Sequence, residues 1–289
     1  LDAAAEWFEK TLELRGDYLP ALQALERIYD RAGRNHKLFE IIICQAQVTS
    51  DKKLKASRHF NAAEVAQARL NDPELVAEQY RKVLELLPGY LPAVKALSEL
   101  YTFMGRPRDL IEMNETLAAN IPNINPEQYL YLMDKNGALW EQLGDLDNAI
   151  NCHERILSRM GEHLDTIKNL GRLYARAGRW ESLITINEQE SALINDQHRI
   201  VSLLHNRGEV TETKLHDEGR AIEYYRKVLV LSPAYHPAVK ALGAIYTRLK
   251  RWEELIRMYH RELDTTDEVE LKTGVRFRIG QIYEDELKN

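Results

Sequence analysis

The segment Lys82–Leu97, KVLELLPGYLPAVKAL, returns as Lys227–Leu242, KVLVLSPAYHPAVKAL, with 12 of 16 positions identical. Lys10–Leu25, KTLELRGDYLPALQAL, matches the first at 10 of 16. The steps are 72 and 145 residues, one and two units of about 72, so the 289 residues hold four copies. Their approximate limits are 1–72, 73–145, 146–217 and 218–289. A chain built this way has no stretch left over for a separate active-site domain, and its units must find hydrophobic cover in their neighbours.

Every strong period is helical. Leu97, Leu100, Tyr101 and Met104 are spaced i, i+3, i+4, i+7 and form one apolar stripe. The stripe recurs as Leu25, Ile28, Tyr29, Ala32, as Leu170, Leu173, Tyr174, Ala177, and as Leu242, Ile245, Tyr246, Leu249. Pro20, Pro92 and Pro237 share a position where a helix begins and proline loses no needed N–H. Gly33, Gly105 and Gly178 follow the stripe as helix stops, with Lys250 in that place in the last copy. Four helices per copy result, predicted in the second at 73–87, 90–104, 107–121 and 126–143. The expected fold is all-α, with about sixteen helices paired as antiparallel hairpins and stacked into a right-handed superhelical solenoid. By register Leu1 corresponds to Pro73 and Asn289 to Asp72, and neither end carries an unmistakable polar cap. The sequence therefore reads as a segment of a longer array.

The hairpin at 130–161 carries Gly137 at a small position, Trp140 at an aromatic one, Ala149 in the second helix and a tight turn GDLDNA at Gly144–Ala149. On these residues the chain resembles the tetratricopeptide repeat family. A second, bulkier flavour alternates with it, in which Leu38, Leu110, Leu183 and Leu255 stand where that family prefers alanine. The resemblance implies an α-solenoid, a protein-interaction scaffold whose concave face binds a peptide or a partner helix, and neither chemistry nor cofactor.

A search for chemistry agrees with that. No two of the 14 glycines are closer than six residues, so the dinucleotide and phosphate-loop motifs and the nucleophile elbow are excluded. The 9 histidines include no i, i+4 pair, and H-E-x-x-H is absent, so no metal or other cofactor is expected. A net charge of −6 argues against nucleic acid as the partner. No apolar run reaches the roughly 18 residues of a membrane span. Cys44 and Cys152 form no spacing motif and read as buried thiols, and cytoplasm is the default compartment. His198 and His205 read as surface or interhelix packing, Trp180 and Trp252 as interhelix anchors, and Tyr18, Tyr90 and Tyr235 as staples at the helix entry.

Repeat position supplies a candidate binding face. The groove-facing position of the first helices is Gln23, Lys95, Lys168 and Lys240 in the bulky flavour, and Asn61, Asp134, Asn206 and Arg278 in the other. Lys95, Lys168 and Lys240 with Asn61, Asp134 and Asn206 are expected to form a polar ladder on the concave face, reading an extended acidic segment. Lys95 is also placed to pair with Glu99 at i+4. The family's two-carboxylate clamp is missing, because Lys95 precedes Glu99, Lys168 precedes Arg172 and Lys240 precedes Ala244. The alternatives are a regulatory or substrate-docking arm of an enzyme whose catalytic domain lies outside this segment, and self-association through open array ends.

Overall fold

The computed structural model describes residues 2–120, 125–265 and 267–287. The predicted limits Leu1, Ile121 and Asn289 lie outside the described residues. Contacts divide the chain into two compact units, Leu1–Asp145 and Leu146–Asn289.

The first unit holds α1 (Asp2–Leu14), α2 (Leu19–Arg31), α3 (Asn35–Val48), α4 (Lys52–Val65), α5 (Pro73–Leu86), α6 (Leu91–Met104), α7 (Pro107–Asn120) and α8 (Pro126–Gln142). The second holds α9 (Leu146–Met160), α10 (Leu164–Ala177), α11 (Trp180–Leu193), α12 (Gln197–Thr213), α13 (Glu218–Leu231), α14 (His236–Arg248), α15 (Trp252–Thr265) and α16 (Val269–Gln281). These are sixteen α-helices with no strand among the described residues. Each packs chiefly on its neighbours in sequence, as in a solenoid of helix hairpins. The helices of the second copy fall within one residue of the predicted spans.

The repeated stripe is the core. Leu25, Leu97, Leu170 and Leu242 are buried with Tyr29, Tyr101, Tyr174 and Tyr246. In the first unit Leu25 and Tyr29 meet Ala5, Leu38 and Ile42, so α1, α2 and α3 close around one cluster. In the second, Leu242 and Tyr246 meet Val228, Leu255 and Ile279. Leu38, Leu110, Leu183 and Leu255, the mark of the bulky flavour, are all buried.

The stops follow the backbone rather than the residue type. Gly33, Gly105 and Gly178 end their helices at positive φ, and Lys250 takes the same left-handed conformation at φ 55°. A side chain there crowds the following carbonyl, which glycine avoids. Lys250→Gly should therefore raise the unfolding free energy by about 0.5–1 kcal/mol, net of the extra freedom glycine has when unfolded. A urea midpoint equal to or below the parent's would refute this.

The first helices of the two flavours differ in length. Lys95 lies five residues beyond the N-cap Tyr90, whereas Asn61 lies ten beyond its N-cap Asp51. The second kind thus starts more than a turn earlier. After α4 the chain continues through a π-helical turn, Ala66–Leu70, which places an extra residue before the left-handed Asn71. A second π-helical turn, Ile282–Leu287, follows α16.

Candidate protein-interaction surface

Gln23, Lys95, Lys168 and Lys240 each lie five residues past their N-caps, Tyr18, Tyr90, His163 and Tyr235, and all four are exposed. The expected Lys95–Glu99 pair does not form; none of the three lysines makes an ion pair among the described residues. Their ammonium groups are left to solvent.

The other set is not in one register. Asn61, Asn206 and Arg278 lie ten residues past Asp51, Asp196 and Glu268, but Asp134 lies nine past Asn125. Lys135 holds the tenth place. Burial agrees: Met133, Asn136 and Gly137 of α8 match Leu204, Arg207 and Gly208 of α12 and His59, Ala62 and Ala63 of α4. Asp134 is exposed, one residue off the line of the asparagines.

In the first unit the structure brings Gln23 and Asn61 together. Both line a depression of about 640 Å³ between α2, α3 and α4. Its walls are charged: Arg58 lies 3.4 Å from Glu26, Arg69 pairs with Asp30 at 2.7 Å, and Gln45 Nε2 donates to Glu26 at 2.8 Å. A second depression of about 390 Å³ is lined by Ala96, Glu99, Leu100 and Phe103 of α6 with Gln67 and Val76. Phe103 is 83% exposed. The π-helical turn separates the two, contributing Arg69 to one and Gln67 to the other.

In the second unit Lys168, Asn206 and Lys240 occupy α10, α12 and α14. Asn206 is partly committed to packing, since its Oδ1 accepts from the buried Asn187 Nδ2 at 3.0 Å. A similar amide pair, Asn114 Nδ2 to Asn136 Oδ1 at 2.8 Å, lies inside the first unit.

The aromatic residues sort cleanly. Tyr90 and Tyr235 are themselves the N-cap residues and reach across to the preceding hairpin, where their rings stand edge-on to Phe60 and His205 at 6.0 and 5.4 Å. His205 is therefore a packing residue, while His198 is exposed. Trp252 packs on the core, and Trp180 lies under Lys214. Cys152 is buried but Cys44 is only half-buried, and neither is joined in a disulfide.

One feature escaped the sequence reading. The stripe tyrosines meet charged partners that alternate in sign: Tyr29 donates to Glu9, Tyr174 to Glu154 at 2.7 Å, and Arg226 Nε donates to the Tyr246 hydroxyl at 2.9 Å. The Arg81 guanidinium lies over the Tyr101 ring at 5.4 Å. The countercharges alternate too, Lys37 on Glu9 and Asp109 on Arg81. Hydrogen bonds from Lys37 and Tyr29 hold the Glu9 carboxyl below the usual carboxylate range. Burial, then the bond to Glu154, pushes the Tyr174 hydroxyl up, and burial lowers His59. These are structural ion pairs; no group of three His, Cys, Asp or Glu among the described residues is placed to hold a metal ion. No described helix is long and apolar enough to cross a membrane.

The tetratricopeptide repeat family model matches residues 166–197 and 238–273. Comparison with curated proteins gives no match. Among solved structures, MamA aligns at 18% identity over 62% of this chain and 92% of its own, with a TM-score of 0.34. YrrB, described as a tetratricopeptide-repeat protein with an unusual peptide-binding site, aligns at 19% identity over 64% of this chain and 91% of its own, TM-score 0.34. The matched segments begin in α10 and α14, whose pattern the 72-residue copies carry through the rest of the sequence. Residues 166–197 and 238–273 are thus similar to the tetratricopeptide repeat, and the remaining helices form a helical repeat array with the same apolar stripe.

Proposed function

We propose that the chain is a non-catalytic protein-interaction scaffold whose first-helix face binds an extended acidic peptide or partner helix. The supporting observation is the set Lys95, Lys168 and Lys240, three exposed ammonium groups at one repeat position with no carboxylate of their own. A lysine left unpaired costs nothing in water and offers its full charge to an incoming carboxylate. Asn61 and Asn206, with Gln23, add amide groups at the corresponding places. Asp134 belongs to the proposed face as well, with Lys135 beside it as the residue in register.

The test uses the parent and the variant Lys95→Glu/Lys168→Glu/Lys240→Glu as baits, with captured proteins quantified by mass spectrometry. All three sites are exposed, so the helical circular dichroism should not change. Acidic partners should fall at least tenfold on the variant, and salt should weaken what the parent retains. Equal capture by both proteins would place binding on another surface.

A further inference from the structure

The fourth copy departs from the other three at surface positions that surround a single groove. Arg257 stands where the earlier copies have Glu40, Glu112 and Thr185. Arg261 replaces Cys44, Thr116 and Gln189, and Val230 replaces Glu13, Glu85 and Ser158. Relative to the second copy the local charge changes by four units, from two carboxylates to two guanidiniums. Packing does not demand this. Arg257 and Arg261 are exposed, and Val230 is 77% exposed, an apolar side chain where the other copies keep a polar one.

The groove these residues share lies between α13 and α15, with α14 as its floor, and has a volume of about 450 Å³. That is within the range of sites which take a peptide side chain or a small ligand. Leu229, Val239 and Leu242 give it an apolar lining, and Arg226, Arg257 and Arg261 stand around it with Glu254 and Glu262. Neither Arg257 nor Arg261 makes an ion pair among the described residues. Arg226 donates to the Tyr246 hydroxyl and makes no ion pair with Glu254, which occupies the place of its countercharge and is held by Arg251 Nη2 at 2.5 Å. In the second copy the equivalent Arg81 is neutralised by Asp109.

We propose that this groove is a second docking site, which takes an acidic segment of a partner protein with bulky apolar side chains between its carboxylates. Charge complementarity commits it to that occupant. The three guanidiniums outnumber the two carboxylates of the lining, one of which Arg251 already holds; their forked geometry matches Asp and Glu, and the apolar lining rewards a leucine or phenylalanine between them. The site is independent of the lysine face, since Lys240 lies on the other side of α14 from Leu242 and Tyr246.

The test is selection of a displayed library of random twelve-residue peptides on the parent protein and on Val230→Glu/Arg257→Glu/Arg261→Thr. That variant restores the residues of the second copy at all three positions, where the same fold already accepts them. The parent should enrich peptides with several Asp or Glu around Leu, Ile, Phe or Trp, and their affinity for the variant should be at least tenfold lower. They should bind Lys95→Glu/Lys168→Glu/Lys240→Glu as well as the parent, which separates this site from the first. Matching enrichment profiles on parent and restored variant, including no enrichment on either, would overturn the proposal. So would binding of the parent alone to phosphatidylserine vesicles without acidic peptides in the selection, which would assign the groove to a lipid surface.

Discussion

Tyr174→Ala lowers the unfolding free energy by about 3–5 kcal/mol, the loss expected when a buried aromatic side chain is truncated and its cavity cannot collapse. The ring is only 7% exposed, and it belongs to the stripe that α10 presents to its neighbours. A tyrosine buries some 150–250 Å². At about 25 cal/mol per Å², the transfer contribution alone is about 4–6 kcal/mol before unfolded-state burial is discounted. Tyr174→Phe isolates the hydroxyl. It removes only the 2.7 Å bond to the exposed Glu154, whose carboxylate returns to water, and costs about 0.5–1.5 kcal/mol. Urea denaturation followed by circular dichroism separates the two. Hydrogen exchange should show the loss concentrated in α10 and the helices packed on it, because repeat arrays transmit stability between nearest neighbours. Equal effects of the two substitutions would mean that the hydroxyl, not the ring, holds the site together.

Gly208→Val costs about 3 kcal/mol for a different reason, overpacking. A Cβ at this position in α12 would lie 2.7 Å from Tyr225 Cε1 and 2.9 Å from Cδ1. The tyrosine cannot step aside: its ring is 1% exposed, stands 5.5 Å from His205, and its hydroxyl donates to Glu212 at 3.1 Å. Glycine inside a helix is normally a loss of roughly 1 kcal/mol against alanine, so here its lack of a side chain is what lets α12 and α13 approach. The double variant Gly208→Val/Tyr225→Leu gives the new methyl groups room, so its destabilisation falls short of the sum of the two single effects. Simple additivity in denaturant titrations would remove the steric explanation.

The fold was readable because its signals are local and repeated four times. Leu97 and Tyr101, or Pro92 and Gly105, each speak about one turn of chain, and their recurrence averages out exceptions. What was not readable depends on distances across the hairpins. Glu9, Arg81, Glu154 and Arg226 alternate openly in the sequence, yet nothing local says that a tyrosine twenty residues later will meet them. Lys250 shows the reverse failure: the turn imposes its conformation on a residue that does not favour it. Asp134 and Asn61 were read as one repeat position, yet they lie nine and ten residues past their N-caps, an offset that only the helix starts reveal. Lys95 was offered Glu99 one turn away, but in water two flexible chains gain little by meeting.

The alternating partners of the stripe tyrosines have a consequence for how such a chain can be recombined. In the first two copies the charge on the first helix and its counterion on the third change sign together, Glu9 with Lys37 and Arg81 with Asp109. A crossover at the boundary between copies carries both members along. One falling between those helices joins Arg81 to Lys37, or Glu9 to Asp109, and sets two like charges beside a buried ring. Between these two copies, whole copies are thus the exchangeable modules, and the hairpins within them are not.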